Sequence, residues 1–167
     1  MSAYLITGYP ATGKSSVADE LVRRGYTAYN TDAIPGLSHH VHKDGTPVDL
    51  SKGHIEDKSE LDWVWDRAKL IKLLHSADQV FICAITSRQH EYYGQFDKIF
   101  VLDIDKATLK HRLLTRTTND FGKHPNEMKM LLEGYESFME QMLKEGAIQV
   151  NAMQPLANVT DDIVAQI

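Results

Sequence analysis

One segment near the start of the chain, Gly8-Tyr9-Pro10-Ala11-Thr12-Gly13-Lys14-Ser15, constrains the fold more than any other. It fits the pattern G-x-x-x-x-G-K-[S/T] at every fixed position. In this pattern the glycines allow a tight turn, so that successive backbone N–H groups converge on phosphate oxygens. The segment lies between a short apolar run, 4–7, and an amphipathic stretch, 14–24. This is the strand–loop–helix context that the pattern requires, and it predicts a phosphate-binding loop after a buried first strand.

The side chains of this loop have separate predicted roles. A helix that begins at Lys14 directs the positive end of its dipole towards bound phosphates. We expect the Lys14 ammonium to reach the terminal phosphates and the Ser15 hydroxyl to ligate Mg²⁺. The predicted nucleotide-binding residues of the loop are Gly8, Tyr9, Pro10, Ala11, Thr12, Gly13, Lys14, Ser15 and Ser16.

The rest of the chain alternates apolar strand-like runs with stretches of helical periodicity. Such alternation predicts an α/β three-layer sandwich, in which a five-stranded parallel sheet is covered on both faces and connected by right-handed crossovers. The 167 residues fit one domain with a single core. Strand candidates are 4–7, 26–29, 80–85, 99–102 and 147–150, and helix candidates are 14–24, 61–76, 107–116, 126–144 and 155–167.

Composition narrows the cellular setting and the partners. A single cysteine, Cys83, excludes an intramolecular disulfide and is expected to be a buried apolar residue rather than a nucleophile. No apolar run approaches the roughly 20 residues that span a bilayer, so we expect a cytoplasmic protein without membrane contact. The net charge of −5 disfavours broad electrostatic binding of nucleic acid.

Two strand ends carry candidate substrate ligands. Asp32 follows the second strand, where a carboxylate can accept the proton of an attacking hydroxyl; the alternative is that it only caps a turn. The third strand ends in Thr86-Ser87-Arg88 and lacks the acidic residue of switch GTPases and motor ATPases. Thr86 and Arg88 are predicted substrate ligands, Arg88 through an anionic group, although a solvated surface arginine is equally compatible with the sequence.

Two polar segments interrupt the regular pattern. Residues 34–60 contain a turn-forming stretch, 43–47, and are predicted to form a hairpin or a similar excursion on the substrate side. Its histidines lack zinc-ligand spacing. Residues 117–125 follow Arg112 and Arg116, which are four apart and predicted to share a helical face. We expect one arginine to stack on a base and the other, Arg116, to neutralise the transferred phosphoryl group, unless both belong to a solvated face.

Taken in order, these motifs resemble P-loop kinases of the nucleoside-monophosphate-kinase and shikimate/gluconate-kinase type, within the wider AAA-like group of small P-loop ATPases. The resemblance implies strand order 2-3-1-4-5, ATP with Mg²⁺, a lid at 117–125, and Asp32 as substrate ligand or base. It also implies that Arg112-Leu113-Leu114-Thr115-Arg116 leads into the lid and that Gln154 and Pro155 pack near adenine. The Asp-Gly-x-Pro-Arg segment of adenylate kinases and the Gly-Gly element of shikimate kinases are absent after the third strand, so the resemblance does not identify the acceptor.

The predicted function is therefore transfer of the γ-phosphoryl group of Mg-ATP to a hydroxyl or phosphate of a small molecule, by a monomer or homodimer. Lys14, Asp32 and Arg116 are the predicted catalytic residues. Two alternatives remain at this point. One is a polynucleotide-end kinase, since Tyr29-Asn30-Thr31-Asp32 is similar to the second-strand end of that class. The other is a regulatory or toxin-like protein that binds nucleotide without turning over a metabolite.

Overall fold

The alternation of strands and helices is present in a computed structural model that describes residues 1–49, 51, 55 and 57–167. Short 3-10 helices cover Thr31–Ala33 and Gln89–Gln95. No helix in these described ranges is both long and apolar enough to cross a membrane. The strands and helices are β1 (Ser2–Thr7), α1 (Lys14–Arg23), β2 (Ala28–Asn30), β3 (Ser38–His42), β4 (Leu61–Trp65), α2 (Arg67–Leu74), β5 (Gln79–Cys83), β6 (Lys98–Asp103), α3 (Lys106–Thr115), α4 (Pro125–Lys144), β7 (Ile148–Asn151) and α5 (Leu156–Val164).

The main sheet has five parallel strands in the order β2-β5-β1-β6-β7. If the β3–β4 hairpin is set aside and the strands are renumbered, this order is the predicted 2-3-1-4-5. The fold is thus the predicted α/β sandwich of P-loop NTPases. In an open parallel sheet the carboxyl ends of the strands form the ligand crevice, and here the loop after β1 and Asp32 after β2 lie at that edge.

Successive residues of the central strand belong to different parts of the core. Ile6 packs with Phe81 and Cys83 in one buried cluster, whereas Leu5 packs with Val80 and Ile82 in another. Both faces of β1 are therefore covered, which explains its continuous apolar sequence. The predicted burial of Cys83 is confirmed, and this burial raises the pKa of its thiol to about 12.

The prediction of one helix over 61–76 is wrong. Residues Leu61–Trp65 form a strand that pairs antiparallel with β3, and the helix begins only at Arg67. Asp66 separates the two elements because its side chain accepts a hydrogen bond from Lys69 N at 3.0 Å and caps the helix. The apolar spacing is compatible with a helix across the whole range, but the alternating stretch Leu-Asp-Trp-Val-Trp is a strand signal.

The strand also decides where the two tryptophans point. On a helix Trp63 and Trp65 would point different ways, whereas residues two apart on a strand lie on the same face. Trp65 is buried. The predicted turn at 43–47 is confirmed: Gly45 has a φ of 87°, and His42 N donates to Thr46 O at 2.9 Å. Among the histidines of the predicted excursion, 34–60, His54 lies outside the described residues.

Candidate active site

A cavity of about 1250 Å³ opens where the strands of the main sheet end. One wall, which we call the phosphate side, includes residues 9–16 with Arg112, Arg116 and Gln154. The opposite wall, which we call the hairpin side, consists of Asp32, His40, Lys43, Lys58, Trp63, Thr86 and Ser87. The volume exceeds the roughly 300–1,000 Å³ of a typical single-ligand pocket, so it has room for two reactants side by side.

The backbone of the loop has conformations that its glycines permit. Gly13 caps α1 with a φ of 107°, and Gly8 has a φ of 150°. A Cβ on Gly8 would lie 2.8 Å from Thr12 Oγ1 and 3.0 Å from Leu102 O, so a side chain there would push the loop away from β6. Helix α1 then begins at Lys14, as predicted, with its N-terminus at the cavity.

The Lys14 side chain is buried within the loop. Its ammonium donates to the carbonyl oxygens of Gly8 at 2.6 Å and Tyr9 at 2.9 Å. Burial lowers the pKa of Lys14 to about 8; the Asp32 carboxylate opposes this shift, and the Arg116 guanidinium adds to it. Lys14 therefore lies within electrostatic reach of the other two predicted catalytic residues.

Asn30 connects the two walls of the cavity. Its Nδ2 donates to Ser15 Oγ at 3.0 Å, and its Oδ1 accepts from Asp32 N at 3.2 Å. Because the backbone N–H of Asp32 requires an acceptor, this bond fixes which end of the Asn30 amide faces Ser15. One side chain at the end of β2 thus orients the predicted metal ligand and the segment that carries Asp32. The sequence motifs did not single out this role.

Asp32 is held by the hairpin. Trp63 Nε1 donates to Asp32 Oδ1 at 2.9 Å, and Trp65 Nε1 donates to Thr31 Oγ1 at 3.0 Å. The two tryptophans lie on the same face of β4, so both indoles reach the segment that follows β2. Ser87 Oγ in turn accepts from Trp63 N at 3.0 Å, which attaches the hairpin to the end of β5.

The two predicted arginines lie on the opposite wall. Arg112 Nη1 approaches Ala11 O at 3.4 Å, and Arg116 Nη2 donates to Phe121 O. They do not share a helical face in the predicted way, because α3 ends at Thr115 and Arg116 is its C-cap, with an extended backbone (φ −63°, ψ 145°). Because the backbone leaves the helix at Arg116, the side chain of this residue contacts the segment 117–125. Its Nε is buried without a hydrogen-bond partner among the described residues, and burial lowers its pKa.

The segment 117–125 is attached to the excursion between β3 and β4. Glu127, 1% exposed at the start of α4, accepts from Gly122 N at 2.7 Å and from Lys58 N at 2.8 Å. Asn126 Nδ2 donates to Asp57 Oδ2 at 2.7 Å. The predicted lid and the predicted substrate-side excursion therefore meet through one buried carboxylate.

The predicted ligands that lie apart from this cavity include Arg88 and Pro155, and several wall residues were missed. Arg88 donates from Nε and Nη2 to Asp62 Oδ2, each at 3.1 Å, on the other face of β4. Pro155 is not on the cavity wall and is the N-cap of α5 rather than its first residue, although Gln154 and Leu156 beside it do line the cavity. Missed wall residues of the mispredicted hairpin and its connection include His40, Lys43, Lys58 and Trp63.

A family model described as an AAA domain matches residues 5–132. The chain belongs to this AAA domain family. The matched range begins in β1 and ends in α4, so it includes the phosphate loop, both tryptophans of the hairpin and both cavity arginines. A comparison of this chain with curated protein sequences found no match.

Solved structures show that the fold is that of small P-loop kinases. A gluconokinase from Sinorhizobium meliloti 1021 is 21% identical with a TM-score of 0.56, over 98% of this chain and 90% of the gluconokinase. A deoxyadenosine kinase from M. mycoides with bound dATP is 14% identical with a TM-score of 0.64, over 99% and 98%. The same kinase with dCMP and a flexible dCDP has 14% identity and a TM-score of 0.62, over 98% and 97%.

Proposed function

We propose that this protein transfers the γ-phosphoryl group of Mg-ATP to a small-molecule acceptor. The observation that carries the proposal is the meeting of Lys14, Asp32 and Arg116 around one cavity, with the pKa of Lys14 influenced by both other groups. Phosphoryl transfer requires cations around the moving group and an in-line acceptor. The phosphate side supplies the cations, and the hairpin side supplies a carboxylate for the acceptor.

The phosphate side has the groups that would bind a nucleoside triphosphate and its metal ion. The loop has the glycine-dependent turn that exposes backbone N–H groups, and Lys14, Arg112 and Arg116 face the same space. We assign the phosphates to the loop and Lys14, the Mg²⁺ to Ser15 Oγ, and the adenine end to the wall near Gln154. When bound, Mg²⁺ neutralises charge on the β- and γ-phosphates.

In this proposal Asp32 acts on the acceptor. Its Oδ1 is bound by Trp63, which holds the carboxylate at the cavity wall. As the acceptor oxygen bonds to the γ-phosphorus, its proton passes to Asp32 and the bond to the bridging oxygen of the departing ADP breaks. Arg116, poised at the end of α3, neutralises charge that develops during transfer, and the lid 117–125 closes over the site.

The structural relatives support a kinase of small metabolites. One is a gluconokinase, and the other is a deoxyadenosine kinase with dATP in one structure and nucleotide products in another. Their acceptors differ in chemistry, so the shared fold favours phosphoryl transfer in general rather than either acceptor.

The first test is whether the loop binds nucleotide and supports transfer. Mg-ATP should raise the melting temperature, because a ligand that binds only the folded state stabilises it. Lys14→Ala should remove most of this shift, whereas Lys110→Ala, at an exposed position of α3 away from the cavity, should leave it intact. ADP release is then measured across sugars, sugar acids, nucleosides and nucleotides. An unchanged shift in Lys14→Ala, or no acceptor-dependent ADP release, would contradict the proposal.

A further inference from the structure

The hairpin side of the cavity carries a lysine ammonium that has no ion-pair partner among the described residues. Its ionisable residues are Asp32, His40, Lys43 and Lys58. Lys43 Nζ pairs with Asp62 Oδ1 at 2.9 Å, so the Lys43 ammonium is neutralised by a residue that does not line the cavity. Within the part of the chain that the structure describes, no carboxylate pairs with the Lys58 ammonium.

The His40 imidazole lies within electrostatic reach of Lys58. Burial, followed by the positive charge of Lys58, lowers the pKa of His40, whereas the Glu127 carboxylate opposes this shift. The His40 ring packs against Trp63 with centroids 4.6 Å apart. Trp63 in turn holds Asp32. Lys58 and Asp32 thus lie on the same wall, connected through the facing residues of β3 and β4.

Hydrogen bonds to helix α4 hold the backbone at Lys58 in place. Its backbone N–H is bound at 2.8 Å by Glu127, which is 1% exposed, and Asp57 beside it is bound by Asn126. The Lys58 residue is itself partly buried. An ammonium that is partly removed from water and has no ion-pair partner among the described residues favours an anionic ligand.

A second polar atom of the same wall lacks a partner. Thr86, 5% exposed, lines the cavity, and its Oγ1 is buried without a hydrogen-bond partner among the described residues. Buried hydroxyls are normally hydrogen-bonded, so this one provides an additional site for a polar ligand beside Ser87.

We propose that the acceptor is an anionic hydroxy compound, whose carboxylate or phosphate group pairs with Lys58 while its hydroxyl lies against Asp32. This inference rests on the proposed function and narrows it. The transfer then joins the acceptor oxygen to the γ-phosphorus, moves the hydroxyl proton to Asp32 and releases ADP. Neutral sugars and nucleosides would leave Lys58 unpaired and should be poor acceptors.

The experiment uses matched acceptor pairs with the full-length protein. An aldose is compared with its aldonic acid, and a nucleoside with its 3′-monophosphate, which keeps the 5′-hydroxyl free, so the two arms separate a carboxylate from a phosphate as the preferred anion. In at least one pair the anionic member should have a kcat/KM at least tenfold higher. Lys58→Ala should raise the KM of that anion roughly 10- to 100-fold, with kcat changed little and the Mg-ATP melting shift retained. Lys58→Arg, which keeps the charge, should recover part of the affinity.

The matched control is Lys129→Ala, an exposed lysine of α4 that does not line the cavity. The inference is overturned if the neutral members are equal or better acceptors, or if Lys58→Ala behaves like Lys129→Ala. Where no member of the panel is phosphorylated, the anions are tested for a melting shift in the presence of Mg²⁺ and a non-hydrolysable ATP analogue. A shift lost in Lys58→Ala then supports the anion site while the proposed transfer fails; no shift with any anion overturns the inference.

Discussion

The phosphate side and the hairpin side of the cavity are built in different ways. Most of the phosphate side is one continuous segment, 9–16, which lies between β1 and the first turn of α1. The hairpin side draws residues from the end of β2, from both strands of the hairpin and from the end of β5. A local motif can predict the phosphate side, because the function of this wall depends on the conformation of a few consecutive residues. The second wall exists only when distant segments meet.

The two walls also stabilise their key charges differently. Lys14 is held by carbonyl groups of its own loop, whereas Asp32 is held by an indole from a strand 31 residues further along. Changes to the loop itself, such as Lys14→Ala, should therefore affect nucleotide binding and transfer together. Changes on the hairpin side should affect the acceptor and leave nucleotide binding nearly intact.

The largest effect that separates the walls is expected from Asp32→Asn. The amide keeps the shape and can still accept from Trp63, but it cannot take the acceptor proton. We expect kcat to fall roughly 10²- to 10⁴-fold, with impaired acceptor binding and an ATP affinity close to that of the unchanged protein. Steady-state kinetics and calorimetric titration with an ATP analogue measure these quantities. If the variant turned over the acceptor at the original rate, Asp32 would only cap a turn. That result would favour the alternative of a regulatory protein that binds nucleotide.

A somewhat smaller effect, on the phosphate side, is expected from Arg116→Ala. The guanidinium should matter more during transfer than in the ground state, so kcat should fall about 10²-fold while ATP binding weakens little. Arg112→Ala, on the same wall, is the comparison: it should weaken ATP binding more than it lowers kcat. If both variants lowered the ATP affinity equally and left kcat unchanged, Arg116 would have no role in the transfer step.

The smallest effect is a pH dependence of nucleotide binding. With a pKa of about 8, Lys14 loses its proton in the free protein as the pH rises above 8. Bound phosphates favour the protonated form, so binding should take up a proton, and the ATP affinity should fall by up to tenfold per pH unit above 8. Calorimetry in buffers of different ionisation enthalpy measures this uptake.

Asp32→Asn sharpens this pH comparison between the walls. The Asp32 carboxylate raises the pKa of Lys14. Its neutralisation should therefore shift the fall in ATP affinity to lower pH. If the pH profile is the same in both proteins, the two walls are electrostatically independent, contrary to the structure.

The hairpin shows why part of the site could not be predicted. The residues 61–74 satisfy a helical spacing of apolar side chains, yet Leu61–Trp65 form a strand because they pair with β3 and because their indoles bond to Thr31 and Asp32. Those partners lie more than 30 positions away in sequence. The period-two signal over five residues was present but short, and helical periodicity on its C-terminal side obscured it.

The sequence by itself determined the phosphate loop, the parallel sheet with its strand order and the burial of Cys83. Each of these depends on local periodicity, on residue type or on a pattern that fits a known family. Tertiary structure decided that Trp63 and Lys58 share the wall with Asp32, and that Arg88 pairs with Asp62 on the other face of the hairpin. The physical reason is that a side chain's partner across a sheet or cavity is set by chain topology and packing, which no local spacing records.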